Sequence, residues 1–294
     1  DDVSLLIDVA NSDDFVLSSA EAIGDILAKS NDASQVKISD VEFVVANPGQ
    51  TPVVEQSCIG TCIIEDLVIY NSVRGISFTG NGNHILANST INAEQYGVRA
   101  ANYGSLLVDN VTVNSQHSGI IIRDSNSRFH GETTIEMTGI SAIGLDILGG
   151  THQIENMTIT KAYDNGDTNS IGGQFWYTDI SLQNLRTENF SIGLTMRDVN
   201  LSARLVANLG GNSIGTEIID SYASIHSIAT QYQDSGVILR ENSHLSTYQW
   251  VAQLHDQPLQ IGITSVVYAL DFTTMNTNPS YSDASGQGLS LIHI

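Results

Sequence analysis

The sequence predicts an all-β fold in which short parallel strands stack coil upon coil as a solenoid. Two observations carry the prediction. A phrase of small-or-polar residue, glycine, apolar–x–apolar recurs, centred on Gly75, Gly97, Gly119, Gly144, Gly172, Gly193, Gly215 and Gly236, at intervals of 22, 22, 25, 28, 21, 22 and 21 residues. A period near 22 marks a repeat that buries its apolar face only by stacking on its neighbours. Between the glycines, a polar residue precedes an alternating stretch: Asp66, Asn88, Asn110, Asn156 and Asn184, with Asp40 upstream and Glu132 in an uncertain register.

Each unit thus offers three short alternating stretches separated by turn residues, rich in β-branched side chains and too short for helices. Two-residue Asn-Gly or Asp-Gly turns are mostly missing, which argues against hairpins. Stacking each stretch on its equivalent one coil later gives parallel sheets about 4.8 Å apart per coil. Residues one and three past each glycine (Ile76 and Phe78, Val98 and Ala100, Leu194 and Met196) should then point inward, and the residue between them outward. Asp66, Asn88, Asn110, Asn156 and Asn184 form a polar ladder at one bend, where amides bond each other and the backbone. The recurring glycine is expected to supply a positive φ at another bend.

At the N-terminus, Ser18 with Glu21 and Lys29 fits a short helix over 18–30, capping the first open coil within a cap region spanning 1–35. The repeat occupies 36–272, and 273–294 is an irregular tail rich in Ser, Thr and Asn. The last six residues, Leu289–Ile294, read as sequencing-adapter translation of the kind that ends assembled metagenomic genes, or else as a short terminal strand.

With this glycine column and with Asn88, Asn110, Asn156 and Asn184, the chain resembles the right-handed parallel β-helix proteins of the pectin-lyase-like superfamily over about residues 36 to 270. The resemblance implies a single-stranded right-handed parallel β-helix of about ten coils of about 22 residues, or a length of roughly 50 Å. It leaves function open, because that fold hosts polysaccharide lyases and hydrolases, phage tailspikes, autotransporter passengers and adhesins alike. The Asn-Thr-Asp, Asp-Asp and Gly-His-Gly signatures of its polygalacturonases and the Arg-x-Pro-x-x-Arg signature of its pectate lyases are absent.

A net charge of −21, from 32 acids against 11 basic residues, would repel nucleic acid and disfavours a polyuronide unless a cation intervenes. No transmembrane run is present. The two cysteines, Cys58 and Cys62, fit a local disulfide in an exported protein or two free thiols; a metal centre would need two further ligands, and no second pair exists. His84 and His152 fall on an inward column and read as core or bend residues.

Among the carboxylates, Glu136 and Glu188 hold equivalent places two coils apart, about 9.6 Å, near the upper separation used by inverting glycosidases. They are the catalytic candidates if the chain is an enzyme, and solvated acids otherwise. The longest coil carries an excursion with Tyr163, Trp176 and Tyr177, a platform on which a sugar could stack, and with Asp164, Asp167 and Asn169, the oxygen-rich pattern of a Ca²⁺ loop lacking the distal bidentate Glu. Apart from that Ca²⁺, no cofactor is expected. The functional expectation is a secreted or cell-surface rod that binds carbohydrate or another surface ligand in adhesion. The alternatives are a polysaccharide lyase or glycoside hydrolase working near Glu136, Glu188 and the 162–177 loop, or a purely structural stalk.

Overall fold

The computed structural model describes residues 4–10, 14–101, 104–162, 167–211, 213–253, 256–275, 282–283 and 290–291. Among them every regular element is a strand, and the chain winds as a parallel β-solenoid of about 11 turns placed about 22 residues apart. It divides into two compact units, one of residues 1–139 with 144–146, the other of 140–143 with 147–294.

The first unit holds β1 (Ser4–Ala10), β2 (Asp14–Val45), β3 (Pro52–Thr79), β4 (Asn83–Ala87), β5 (Thr90–Ala101), β6 (Ser105–Asp109), β7 (Thr112–Ser115), β8 (Ser118–Arg123) and β9 (Asn126–Met137). Each pairs in parallel with its equivalent on the next coil, as β2 with β3, β3 with β4 and β5, and β5 with β7 and β8. After β10 (Ile143–Leu148), the second unit runs through β11 (Thr151–Lys161), β12 (Ile171–Trp176), β13 (Asp179–Glu188), β14 (Ile192–Arg197), β15 (Asn200–Leu209), β16 (Ile214–Ile219), β17 (Tyr222–Gln231), β18 (Ser235–Arg240), β19 (His244–Gln253), β20 (Gln257–Ile261) and β21 (Val266–Met275). Odd strands β11 to β21 stack in one series and even strands β12 to β20 in another, all parallel.

The alternation behaves as expected. Ile76, Phe78, Val98, Ala100, Leu194 and Met196 are all buried. The intervening outward column is less exposed than expected, with Ser77, Asp146, Thr195 and Ile238 buried, and its carboxylates pair along the stack. Arg123 covers Asp146, and Arg240 Nε donates to Glu217 Oε1 at 2.6 Å.

Two expectations are overturned. The helix expected over 18–30 does not form; these residues belong to β2. Asp25–Asn31 pairs residue for residue with Ser4–Ala10, while Ala28–Ser30 pairs with Val54–Gln56 of β3. A helix would satisfy its own backbone but leave the β3 edge open; a strand satisfies both. Side chains follow suit, with Lys29 Nζ 3.6 Å from Glu55 and the Ser30 hydroxyl donating to Gln56 Oε1 at 2.7 Å.

Nor does the recurring glycine have a positive φ; Gly75, Gly97, Gly119, Gly172, Gly193, Gly215 and Gly236 all lie outside that region. What they share is a close approach between coils. A Cβ on Gly172 would stand 2.5 Å from the Gly193 carbonyl oxygen, one on Gly193 2.6 Å from that of Gly215, and one on Gly215 2.5 Å from that of Gly236. The glycine is a requirement of space.

The left-handed bends fall to other residues. In the first unit Asp40, Asp66, Asn88 and Asn110 have φ of 54°, 52°, 47° and 53° and are followed by Gly131 at 65°. Asn and Asp tolerate that region because their short side chains bond locally. Register matches Asp109 with His130, so Gly131, not Glu132, continues the column, and Glu132 N–H donates to Asn110 Oδ1 at 3.1 Å. Asn156 and Asn184 instead lie within strands and bond amide to amide, Asn184 Nδ2 to Asn156 Oδ1 at 2.6 Å. Asn114 Nδ2 makes the same bond to Asn92 Oδ1 at 2.7 Å in the first unit.

Candidate functional site

The excursion of the longest coil is organised around a buried ion pair. Asp167 and Lys161 side chains are each about 2% exposed and meet at 2.8 Å. Asp167 Oδ1 also accepts the backbone N–H groups of Asn169 at 3.0 Å and Ser170 at 3.2 Å, pinning the chain as it enters β12. Burial opposes the ionised carboxyl, but the hydrogen bonds from Lys161, Ser170 and Asn169 outweigh it and hold Asp167 down at about 2. Its charge is already neutralised by an ammonium, and Asn169 beside it is exposed. Tyr163 and Asp164 lie outside the described residues.

Beyond the pair, Phe175 points into the core and Trp176 outward, 39% exposed, in register with Arg197. Tyr177 is 58% exposed and takes φ 53° at a corner where the following coils place Asp198 and Asp220 at 52° and 43°. A bulky side chain is uncommon in that region, so the corner presents Tyr177 to solvent at some conformational cost.

Glu136, exposed near the end of β9, belongs to the first unit; Glu188, at the end of β13, belongs to the second and pairs with Arg186 at 3.3 Å. Cys58 and Cys62 are joined as a disulfide, buried, with Cα atoms 6.1 Å apart. His152 is fully buried, with Nε2 2.8 Å from the Gly149 carbonyl oxygen, and burial lowers its pKa. A groove of about 280 Å³ in the first unit is lined mainly by polar side chains, among them the amides of Asn71, Asn92 and Asn114, which are engaged in bonds along the stack.

The most distinctive surface was not anticipated from the sequence. On the outward face of β13, β15, β17 and β19, register aligns Ser181, Ser202, Ser224 and Ser246 in one column. Beside it, Tyr222 stacks on His244 with ring centroids 4.7 Å apart and planes 9° apart, and Tyr268, which follows Ser246 in the column itself, tilts over His244 at 5.2 Å. On the other side, His226 stacks on Tyr248 at 5.0 Å and 2°. Tyr222, Tyr248 and Tyr268 are 51%, 56% and 49% exposed. About half of each tyrosine stays exposed beyond these stacking contacts. Beneath the same sheet Trp250 is fully buried against Phe272, with ring centroids 4.5 Å apart. The partners stand 22 residues apart, 222 with 244 and 226 with 248, so reading the sequence at one-coil intervals would have found them.

No protein-family model matches the chain, and no curated protein and no solved structure matches it. Among the described residues no helix is long and apolar enough to cross a membrane.

Proposed function

We propose that this protein is a secreted or cell-surface member of the pectin-lyase-like superfamily that acts in adhesion by binding an uncharged carbohydrate chain along the outward face of β13 to β21. The carrying observation is the serine column, ending in Tyr268 and flanked by the Tyr222–His244 and His226–Tyr248 ring pairs. Sugar rings present C–H faces that pack on aromatic carbon, while their hydroxyls exchange hydrogen bonds with serine, tyrosine and histidine groups. The coil repeat, about 4.8 Å, offers equivalent contacts at regular steps along a polymer. Net charge of −21 favours a neutral chain over a polyuronide. The Cys58–Cys62 disulfide fits an oxidising location. Trp176 and Tyr177 extend the exposed aromatic surface of the second unit.

Screening the purified protein on a panel of immobilised neutral, amino-sugar and uronate glycans tests the reading. Binding to neutral chains is expected, weakened about tenfold or more by Tyr248→Ala or Tyr222→Ala. Tyr70→Ala, which removes an exposed tyrosine of the first unit, should leave it unchanged. Absence of binding across the panel, or equal binding by the Tyr248→Ala and Tyr222→Ala variants, would sink the proposal.

A further inference from the structure

The first unit contains a second, chemically different cluster. Register stacks Val36, Cys62, His84 and Leu106 on successive coils as an inward column, all buried. Cys58 joins Cys62 across the coil corner, and one donor atom from each of Cys58, Cys62 and His84 lies within 4.8 Å of the others. An imidazole is out of place in such a column. His84 is 4% exposed, neither ring nitrogen has a hydrogen-bond partner, and its ring packs against Phe78 with centroids 5.0 Å apart. Burial pushes its pKa down to about 4; the Thr79 and Gly80 backbone pulls the other way without meeting hydrogen-bond geometry at the ring. Beside the sulfurs, Gln56 is also buried, with Oε1 3.7 Å from Cys62 Sγ and held by the Ser30 hydroxyl at 2.7 Å.

We propose that Cys58, Cys62 and His84 form a thiol-gated site for one thiophilic cation of the Zn²⁺ or Cu⁺ class. In the oxidised protein the sulfur lone pairs are tied up by the S–S bond and the site is closed. A dithiol or phosphine reductant supplies two electrons, the S–S bond breaks, and two protons from solvent complete the thiols while the reductant leaves oxidised. The cation then displaces both thiol protons to solvent and is held by two thiolates and one imidazole nitrogen, with Gln56 Oε1 a neutral oxygen at hand for a fourth position. Tetrahedral or trigonal coordination sets donors about 3.5–4 Å apart, so after reduction the two sulfurs separate to that distance while the His84 donor, already within 4.8 Å of both, closes by at most about 1 Å. Two thiolates and a histidine select soft or borderline cations over Ca²⁺ and Mg²⁺. The site is independent of the ring face in the second unit, and either can fail without the other.

The test uses the full chain unfolded in urea with excess phosphine and refolded anaerobically, with two titratable thiols confirmed. Co²⁺ titration should give thiolate-to-cobalt charge-transfer and d–d bands that saturate at one equivalent and are displaced by Zn²⁺. The oxidised protein should give none. His84→Leu, isosteric with the Leu106 that follows it in the column, should weaken binding at least tenfold and blue-shift nothing in the far-UV spectrum; Cys58→Ser/Cys62→Ser should abolish the charge-transfer band. Zn²⁺ should also slow alkylation of both thiols in the wild-type chain, a readout that does not depend on any variant folding. If the dithiol form refolds poorly, Zn²⁺ should restore the far-UV spectrum of the oxidised protein. Binding no tighter than in the double serine variant, equal binding by a folded His84→Leu, or failure of Zn²⁺ both to protect the thiols and to restore the fold overturns the proposal.

Discussion

Gly172 and Gly173 are neighbours on β12, neither with a positive φ, and they provide a matched test of why the glycine column exists. In Gly172→Ala the new Cβ would lie 2.5 Å from the Gly193 carbonyl oxygen and 2.8 Å from Thr187 Cβ and Cγ2. Reaching ordinary contact at about 3.4 Å requires the coils to part by about 0.9 Å. The adjacent ladder bond from Ile192 N–H to Ser170 O, now 3.0 Å, would stretch beyond the useful range. One or two weakened bonds at about 1 kcal/mol each, plus about 1–3 kcal/mol of overpacking, exceed the 0.4–1 kcal/mol gained by restricting the unfolded chain. The net destabilisation is about 2–3 kcal/mol. In Gly173→Ala the first obstacle is Leu194 Cδ1 at 3.1 Å, the end of a flexible side chain, so the effect should stay within about 1 kcal/mol. Urea unfolding followed by far-UV circular dichroism should place the Gly172→Ala midpoint about 1 M below that of Gly173→Ala. Coincident midpoints, or a Gly172→Ala midpoint at or above the wild type, would refute the close-approach argument.

The other predictions concern buried polar and aromatic groups. Because the Asp167 carboxyl is held at about 2, below the ordinary 3.8 of an aspartate, its stabilisation is fully present above about pH 4 and is lost as pH falls through 2. Chemical denaturation at pH 5, 3 and 2 should show about 2 kcal/mol of acid-dependent loss that Asp167→Asn lacks. Lys161→Met, by leaving Asp167 charged and unpaired, should destabilise by about 3–5 kcal/mol, and Lys161→Met/Asp167→Asn should recover much of that by the same unfolding measurement. Trp250→Ala, which removes a fully buried ring packed on Phe272 and donating to Thr230 Oγ1 at 3.4 Å, should cost about 3–5 kcal/mol in calorimetry or urea unfolding.

What the sequence revealed and what it hid separate along physical lines. The repeat, the inward alternation and the inward placing of Phe175, His84 and His152 follow from period and polarity alone, since one face of each coil must be buried. The local capping-box pattern at Ser18 was misleading, because tertiary pairing with Ser4–Ala10 and β3 overrides a weak local preference. The recurring glycine was visible, but a composition signal cannot distinguish a positive φ from a missing Cβ. The polar ladder is similarly mixed, with Asp66, Asn88 and Asn110 at left-handed bends and Asn156 and Asn184 in strands. Sites assembled from residues one coil apart, such as Tyr222 with His244 or Cys62 with His84, have no contiguous motif, so a search for local spacing passes over them.

The stacking of each coil on the next also bears on how the chain reaches this state. Paired strands are about 22 residues apart in a chain of 294, a relative separation of about 22/294, or 0.07. Sheet proteins with long-range pairing usually fall at about 0.16–0.22 and fold in milliseconds to seconds, whereas 0.07 is the territory of fast helical bundles. A nucleus need only close one loop of about a coil's length, after which each further coil finds a finished edge to zip onto. Although every regular element described is β, assembly should proceed as rapid local propagation, with the first completed coil as the slow step.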